Sequence, residues 1–449
     1  MSVDSPKSST EAKLGANYWR LWVGNVVSNF GDGVAGVAYP WLASAVTRDP
    51  VAIALVALAT RLPWLVFTLP AGVITDRVDR RRLVMSMDVA RTALTLAVAF
   101  IVLSNQASLS SPEVIAAGTA GVPSNSGFLL AILYITGLML GTAEVLRDNA
   151  AQTLLPSIVD KSLLQRANGR MWGAESVMNS FAGPVVGGLL LATAFSLPFF
   201  VDSATFAVAA LMTLFIAGDF KPKGGVAATE RPSWVTDVKE GFMWLWTRPF
   251  LRALAISLGV LNGLGMATMA TYVLFVQEIL ELGATGFAVM MWAGAVGGIV
   301  GSFLAERIAK RLGNGPSLFL TIIVGGLTAL VIGLTSVAAV VWVMFLFGAF
   351  SAVLWNVITV SLRQTIIPDQ LLGRVNSVYR MFGWGMMPIG SLAGGLLVKL
   401  GESMVGRDFG LRLPFLVAAG AHVLLFAYAL PRLNSARIAA ALEDAESSA

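Results

Sequence analysis

Residues 72–81 read Gly-Val-Ile-Thr-Asp-Arg-Val-Asp-Arg-Arg and stand where two long apolar stretches, 51–75 and 83–104, meet. An apolar stretch of about 20 residues is long enough to cross a bilayer as a helix. Clustered arginines between two such stretches are typical of a short loop at a membrane surface. This stretch therefore predicts a chain that crosses the membrane, turns at these residues and returns.

The composition extends this interpretation to the whole chain. Of its 449 residues, 56% are hydrophobic and 13% are charged, whereas a soluble domain carries about 25% charged residues. These values exclude an ordinary soluble enzyme, a disordered chain and a fibrous protein. The net charge of +5 is spread over short clusters, which argues against nucleic-acid binding. With no Cys and one His, neither a disulfide nor a multi-histidine metal site is expected.

Twelve apolar segments follow one another along the chain. Backbone groups in lipid must be hydrogen-bonded within their own segment, so each segment is predicted to be a helix. The expected fold is an all-α membrane protein with twelve transmembrane helices. The segments are 18–46, 51–75, 83–104, 128–147, 168–192, 196–217, 252–280, 286–306, 317–338, 340–362, 376–400 and 412–431.

Lys and Arg concentrate in alternate gaps between these segments. By the positive-inside rule, this bias places both termini of a multi-pass membrane protein in the cytoplasm. A polar stretch divides the segments six and six, and it contains either an interfacial helix or the soluble start of helix 7. The predicted units are a tail (1–17), a six-helix bundle (18–217), a cytoplasmic linker (218–251), a second six-helix bundle (252–432) and a tail (433–449).

The two halves resemble each other in sequence. Residues 152–156, Gln-Thr-Leu-Leu-Pro, recur as Gln-Thr-Ile-Ile-Pro at 364–368. Three glycines of one half also recur in the other, and the order of the matches is kept. Two similar six-helix bundles are the architecture of a transporter that rocks about a central site. The glycines are Gly183, Gly187 and Gly188, which recur as Gly390, Gly394 and Gly395.

Residues 72–81 resemble the GxxxDRxGRR signature of the loop between helices 2 and 3 in the major facilitator superfamily. One departure is Asp79, where many members have Gly. The resemblance covers nearly the whole chain and implies the major facilitator fold. It also implies a gate at the cytoplasmic face, and the alternative is that the arginines only set the orientation. The gate residues are Gly72, Asp76, Arg77, Arg80 and Arg81, with Glu144 and Arg147 of helix 4 expected to pair with the loop arginines.

Residues 180–188 resemble a second superfamily signature, the GPxxGG motif that helix 5 carries in antiporters. Small residues let helices approach closely, so the alternative interpretation is close packing without a role in exchange. Shorter matches at 28–32 and 197–202 resemble the branch of bacterial macrolide-efflux and enterobactin-exporter proteins, which implies a location in the bacterial cytoplasmic membrane. The antiporter-type residues are Gly183, Pro184, Gly187 and Gly188.

The resemblance implies a substrate path lined by helices 1, 4, 7 and 10. These helices carry amide, methionine and aromatic side chains, which adapt to varied apolar ligands. The alternatives are ordinary packing for the methionines and hydrogen bonds between helices for the amides. The candidate residues are Asn25, Asn29, Tyr134, Met139, Asn262, Met266, Met269, Tyr272, Trp355, Asn356 and Thr359.

Two charged residues are predicted inside the membrane at similar depth. Asp32 lies about 18 Å into helix 1 from the cytoplasmic side, and Arg61 lies about 21 Å along helix 2. Each is costly alone in lipid, so we expect them to pair and Asp32 to carry a proton during transport. The alternatives are a fixed structural pair, or Arg61 bound to a backbone carbonyl.

The resemblance and the pattern together predict a secondary active transporter that works by alternating access. The leading hypothesis is a proton-coupled antiporter that exports a small amphipathic compound, such as a drug, a macrolide-like or a siderophore-like molecule. The alternatives are an importer or a lipid translocator on the same fold. A membrane-embedded enzyme or a receptor is disfavoured because clustered His, Cys or paired carboxylates are missing from the sequence. The expected partners are the substrate, protons and the lipid bilayer, with no cofactor, no metal, no nucleic acid and a functional monomer.

Overall fold

The computed structural model describes residues 14–75, 77–111, 114–115, 121–220 and 234–447. Every regular element in this part of the chain is helical. The first half contains the long helices α1 (Ala16–Val46), α2 (Pro50–Thr75), α3 (Arg80–Ser104), α4 (Ser126–Ile158), α5 (Lys161–Thr193) and α6 (Leu197–Leu214). The second half contains α7 (Pro249–Met269), α8 (Ala284–Leu312), α9 (Asn314–Leu334), α10 (Ala338–Ile366), α11 (Asp369–Met404) and α12 (Arg407–Ala429).

Within the described residues, eleven of these helices are long and apolar enough to cross a membrane. The remaining one, α1, has 31 residues but carries the polar side chains of Asn25, Asn29 and Asp32. The all-α fold with two six-helix bundles is confirmed.

Several helices are longer or shorter than the apolar segments indicate. Helix α4 runs to Ile158 and not 147, and α11 begins at Asp369 and not 376. Apolar character ends where the lipid ends, whereas backbone hydrogen bonding continues into water. Helix α7 ends at Met269, and a separate short, buried helix, Tyr272–Glu278, follows it.

The linker carries a helix of its own, Trp234–Thr247, which packs on the second half. Its Phe242 ring stacks on Phe382 of α11, and Glu240 forms a 2.6 Å ion pair with Arg374. It is not the start of α7, since the extended residue Arg248 separates the two helices.

Each half packs in the same way. In the first half α1 packs on α5, α2 on α4, and α3 on α6. In the second half α7 packs on α11, α8 on α10, and α9 on α12. Corresponding helices therefore have corresponding neighbours, as two copies of one bundle would have.

The recurring glycines show this symmetry at the level of atoms. Side chains at Gly183 and Gly187 would collide with Gly33 and Val34 of α1, so α5 and α1 touch through their backbones. Gly390 and Gly394 of α11 lie in the same way on Gly263 and Ala267 of α7. In each half these two glycines allow close packing inside one bundle.

The third glycine of each set lies between the halves. A side chain at Gly188 would come within 2.7 Å of Ala288 on α8, and one at Gly395 within 2.7 Å of Ala54 on α2. The α5–α8 and α2–α11 contacts are the seams along which the bundles meet.

We call the face with the start of α1 and the end of α12 the terminal face, and the other the opposite face. At the opposite face one hydrophobic core is shared by both halves and includes Trp41, Phe199, Tyr272 and Phe287. At the terminal face each half has a separate core, one around Tyr18 and the other around Tyr379. The bundles are thus joined at the opposite face and apart at the terminal face.

Candidate charge cluster and transport path

A charge cluster, Asp32, Asp88, Arg91, Arg147 and Asp148, lies inside the first bundle. The Arg91 guanidinium on α3 binds the Asp32 carboxylate on α1, and its Nη1 donates to Ser28 Oγ at 3.2 Å. Its carbon Cζ lies 3.7 Å from the centre of the Phe206 ring on α6. The Arg91 side chain is 4% exposed and that of Asp32 is 26% exposed. The acid therefore has contact with solvent, whereas the base does not.

The cluster continues from α3 to α4. Asp88, whose side chain is fully buried, lies 3.8 Å from Arg91 and 3.3 Å from Arg147. Arg147 also forms a 3.2 Å ion pair with Asp148. Acids and bases thus alternate from α1 through α3 to α4.

Helix geometry accounts for the middle of this arrangement. Asp88 and Arg91 are three residues apart on α3, so they share one face of the helix. A charge buried in a low-dielectric interior is stable only when it is paired, and each buried group here has at least one partner of opposite charge.

The predicted pairing of Asp32 with Arg61 is wrong. The Arg61 side chain is exposed, and Asp32 binds Arg91 instead. The prediction rested on similar depth along two helices, but α2 packs on α4 and α11 and touches α1 only lightly. Helices adjacent in sequence need not be adjacent in a bundle.

The predicted pairing of Arg147 with the loop arginines is also wrong. Because α4 continues to Ile158, Arg147 lies about 16 Å from the end of its helix. It is buried and bound to Asp88 and Asp148. Glu144 lies one turn further in on the same helix and is half-buried.

The loop arginines bind backbone carbonyls of the first bundle. Arg80 donates to the Thr153 carbonyl at 3.2 Å, and Arg81 donates to the Ile216 carbonyl at 2.6 Å. Arg77 is exposed, and a side chain at Gly72 would meet open space. Asp76 lies outside the described residues, so its gating role stays a prediction.

The first-half path candidates have mixed environments. The Asn29 amide donates to the Asn25 carbonyl one turn back at 2.9 Å, so both belong to one face of α1. The Tyr134 hydroxyl donates to the Ala52 carbonyl at 3.1 Å and ties α4 to α2. Met139 is exposed.

In the second half, Asn262 donates to the Gly383 carbonyl at 3.0 Å and ties α7 to α11. Tyr272 lies beyond the end of α7 in the core shared at the opposite face, so it is closed off from the terminal face. The remaining candidates are Met266 and Met269, which are half-buried, Trp355 and Thr359, which are buried, and Asn356, which is exposed.

Three tryptophans contribute to the contacts between the halves. Trp292 of α8 donates to the Phe181 carbonyl of α5 at 3.1 Å. Trp64 of α2 packs edge-on against Trp384 of α11, with ring centres 5.1 Å apart. Nearer the opposite face, Arg48 and Ser44 of the first half bind Gln277 and Glu278 of the second.

The sequence profile of the Major Facilitator Superfamily matches residues 21–391 of this chain, and the folded halves have the bundle pairing described above. The chain belongs to the major facilitator superfamily. It is 26% identical over 414 residues to the multidrug efflux pump Tap of Mycolicibacterium fortuitum, covering 90% of each chain. It is 25% identical over 368 residues to the enterobactin exporter EntS of Escherichia coli O1:K1 / APEC, covering 80% of each.

Among solved structures, the chain is similar to a bacterial homologue of the iron transporter ferroportin in an inward-facing state. The TM-score is 0.68 at 17% sequence identity, and the match covers 92% of this chain and 98% of the other. This likeness supports the fold of a major facilitator protein.

Within this superfamily fold, the GPxxGG stretch has a visible structural effect. A π-helical turn, Met178–Ala182, precedes Gly183 and Pro184 in α5. Proline has no N–H to continue the α-helical ladder, which accounts for a wider turn just before it. The carbonyls of Met178 and Asn179 in this turn lie against Gly33 of α1.

Sequence reasoning missed Asp88 and Arg91 as site residues of this superfamily member. Both lie within the apolar segment 83–104, and an ionisable residue inside a membrane segment is by default a functional candidate. Two ionisable residues three positions apart inside an apolar segment were therefore a signal in the sequence for this site. Asp202 of α6 is a further buried acid, and its Oδ1 has no hydrogen-bond partner among the described residues. No group of acidic or His side chains in the described part of the chain is suited to holding a metal ion.

Proposed function

We propose that this chain is a proton-coupled antiporter that exports a small amphipathic compound by alternating access. The observation that carries the proposal is the Asp32–Arg91 pair, because it places a partly exposed carboxylate next to a buried guanidinium within the membrane. A carboxylate in this position can exchange a proton with water in the path, and Arg91 balances the charge of its ionised form.

The coupling follows from competition at Asp32. When Asp32 takes up a proton it becomes neutral, and its ion pair with Arg91 is lost. Arg91 then keeps its contacts with Ser28 and with Asp88 at 3.8 Å. Substrate binding that favours the ionised acid expels the proton, and protonation in turn expels substrate, since coupling between two ligands is reciprocal.

The direction of transport rests on the proposed orientation. We assign the terminal face to the cytoplasm because Lys and Arg concentrate in the loops on that side. The path opens to this face, so substrate would enter from the cytoplasm of a bacterial cell. Release at the opposite face, with a proton moving inward, completes one export cycle by a monomer.

The substrate class is inferred from the candidate path residues and the relatives. Amide, methionine and aromatic side chains suit amphipathic compounds of varied shape. The names of the relatives Tap and EntS, a multidrug efflux pump and an enterobactin exporter, also favour export of such compounds. Loop 72–81 is proposed to close the terminal face during the cycle.

The proposal is tested by transport into proteoliposomes with an imposed pH gradient. A panel of amphipathic compounds is offered to the parent protein first, and uphill accumulation driven by the gradient identifies a substrate. Asp32→Asn is then expected to abolish gradient-driven transport and to retain downhill exchange. The matched control is Asp408→Asn, because Asp408 pairs with Arg412 at the opposite face, away from the charge cluster. Full gradient-driven transport by Asp32→Asn would refute the assignment of the proton to Asp32.

A further inference from the structure

The turn between α1 and α2 is held by residues from three elements of the second half. Gln277 and Glu278 come from the short helix Tyr272–Glu278, and Lys399 and Arg407 from the ends of α11 and α12. All of them lie at the opposite face, where the bundles meet. This turn is therefore one place where the first half is bound to the second by polar contacts.

Glu278 is at the centre of these contacts. Its Oε1 accepts from Arg48 Nη2 at 2.5 Å and from Arg407 Nη2 at 3.0 Å, and its Oε2 accepts from Arg407 Nε at 2.8 Å. Arg407 Nη2 also donates to the Arg48 carbonyl at 3.0 Å. One carboxylate thus binds an arginine from each half, and the second arginine reaches across to the backbone of the first.

Gln277 adds a buried polar link beside this carboxylate. It is 0% exposed, its Nε2 donates to Ser44 Oγ at 2.8 Å, and its Oε1 accepts from Arg48 Nη1 at 2.7 Å. Both ends of the amide are satisfied by the first half. A small separation of the bundles would leave these groups buried and unpaired, which is costly, so intermediate openings are disfavoured.

The neighbouring ion pair Asp49–Lys399 contributes less to holding the two halves together. Its nitrogen and oxygen are 3.4 Å apart, and the side chains are 44% and 61% exposed. Exposed pairs of this kind are weak because water screens them. The strong contacts are those of Ser44, Arg48, Gln277, Glu278 and Arg407, which we call the opposite-face latch.

We propose that the opposite-face latch keeps the path closed at the opposite face in the absence of substrate, and that it must be released before the path can open there. It has the required geometry because it joins the two halves, whereas the described residues at the terminal face form separate cores. The inference goes beyond the proposed export function, since it concerns which face is open at rest.

The absence of cysteine from the chain allows a direct test, because one introduced thiol is the only one present. Ala288→Cys places it on α8 against Gly188, at a position 2% exposed on the seam between the halves. The rate of its reaction with a hydrophilic maleimide is measured on purified protein without substrate. Adding Glu278→Gln is expected to raise this rate about tenfold, the change expected when a charge-assisted hydrogen bond is lost.

Two further variants make the result decisive. Arg48→Gln removes the arginine that the first half contributes to Glu278 and leaves the Glu278–Arg407 pair in place, so it should also raise the labelling rate. This variant decides the question if Glu278→Gln does not fold. Asp408→Asn breaks a pair confined to α12 and should leave the rate unchanged. Parent-like labelling in the latch variants, or an equal rise in Asp408→Asn, would overturn the proposal. No flux is measured, so this outcome is independent of the export proposal.

Discussion

Arg91 of α3 binds Asp32 of α1, although the two residues are 59 positions apart and their helices are not consecutive. The Phe206 ring of α6 covers the guanidinium from one side. The Arg91 side chain therefore connects three helices of the first bundle. It also provides a buried base next to an acid that solvent can reach.

The first prediction distinguishes Arg91 from Arg61 as the partner of Asp32. Arg91→Gln leaves Asp32 without its base, so it should lower the free energy of unfolding by about 3 kcal/mol. Arg61→Gln removes an exposed side chain and should leave thermal stability close to that of the parent. The measurement is the Tm of both variants in the same detergent. Equal losses in the two variants would contradict this assignment.

The second prediction concerns backbone contact between α5 and α1. Gly183→Leu should block transport, because a side chain there would lie within 3 Å of Gly33 and of the Phe30 carbonyl. Gly173→Leu is the control on the same helix, since a side chain at that position meets nothing within 4 Å. Flux is measured after both variants are shown to reach the membrane. If Gly183→Leu transports as well as Gly173→Leu, close approach of the two helices is not needed for cycling.

The third prediction concerns the loop 72–81. Asp76→Asn should weaken closure of the terminal face and reduce transport while membrane insertion stays normal. Asp79→Asn is the matched control, because Asp79 caps α3 by accepting from the Arg82 N–H at 2.9 Å, and Asn caps helices equally well. Normal flux in Asp76→Asn would remove the gating role from this residue.

The fourth prediction is a pH dependence of the opposite-face latch. Burial by itself raises the pKa of Glu278, but the hydrogen bonds and charges of Arg407 and Arg48 outweigh burial and hold this pKa below its usual value. Glu402, bound to Arg407 at 3.2 Å, is the nearby acid, and Asp49 and Lys399 lie at the edge. A carboxylate with a lowered pKa stabilises the folded state above its unfolded pKa of about 4.3 and loses this contribution as the pH falls through the lowered value.

The corresponding measurement compares the parent with Glu278→Gln. The difference in Tm between the two should be constant from about pH 7 to pH 5 and should shrink below about pH 4. The Asp408→Asn variant provides the comparison for an ion pair that does not join the halves. A difference that grows on acidification would mean that Glu278 has a raised pKa, contrary to the contacts with its two arginines.

Much of the fold could be predicted from the sequence because lipid imposes simple rules. A segment must be apolar, helical and about 20 residues long, so hydropathy alone gives the order of the helices. The recurrence of Gly183, Gly187 and Gly188 as Gly390, Gly394 and Gly395 indicated two related bundles, and the structure places both sets in equivalent contacts. Helix ends were less accurate, as at Ile158, because helices continue past the lipid boundary.

The candidate site was only partly predictable. Asp32 was identified as an ionisable group that needs a partner, but Arg61 was chosen because it has the same depth. Depth follows from counting residues along a helix, whereas the choice of partner depends on how each helix is rotated and which helices lie beside it. The opposite-face latch was missed for a related reason: Arg48 and Glu278 are 230 positions apart and belong to different halves.

The sequence by itself determined that this chain is a membrane protein of two similar six-helix halves, since hydropathy and repetition are properties of consecutive residues. Tertiary structure decided that Arg91 neutralises Asp32, that Arg147 is buried against Asp88, and that Glu278 binds an arginine from each half. These pairings arise when all the helices pack at once, because a buried charge binds the opposite charge that packing brings within reach.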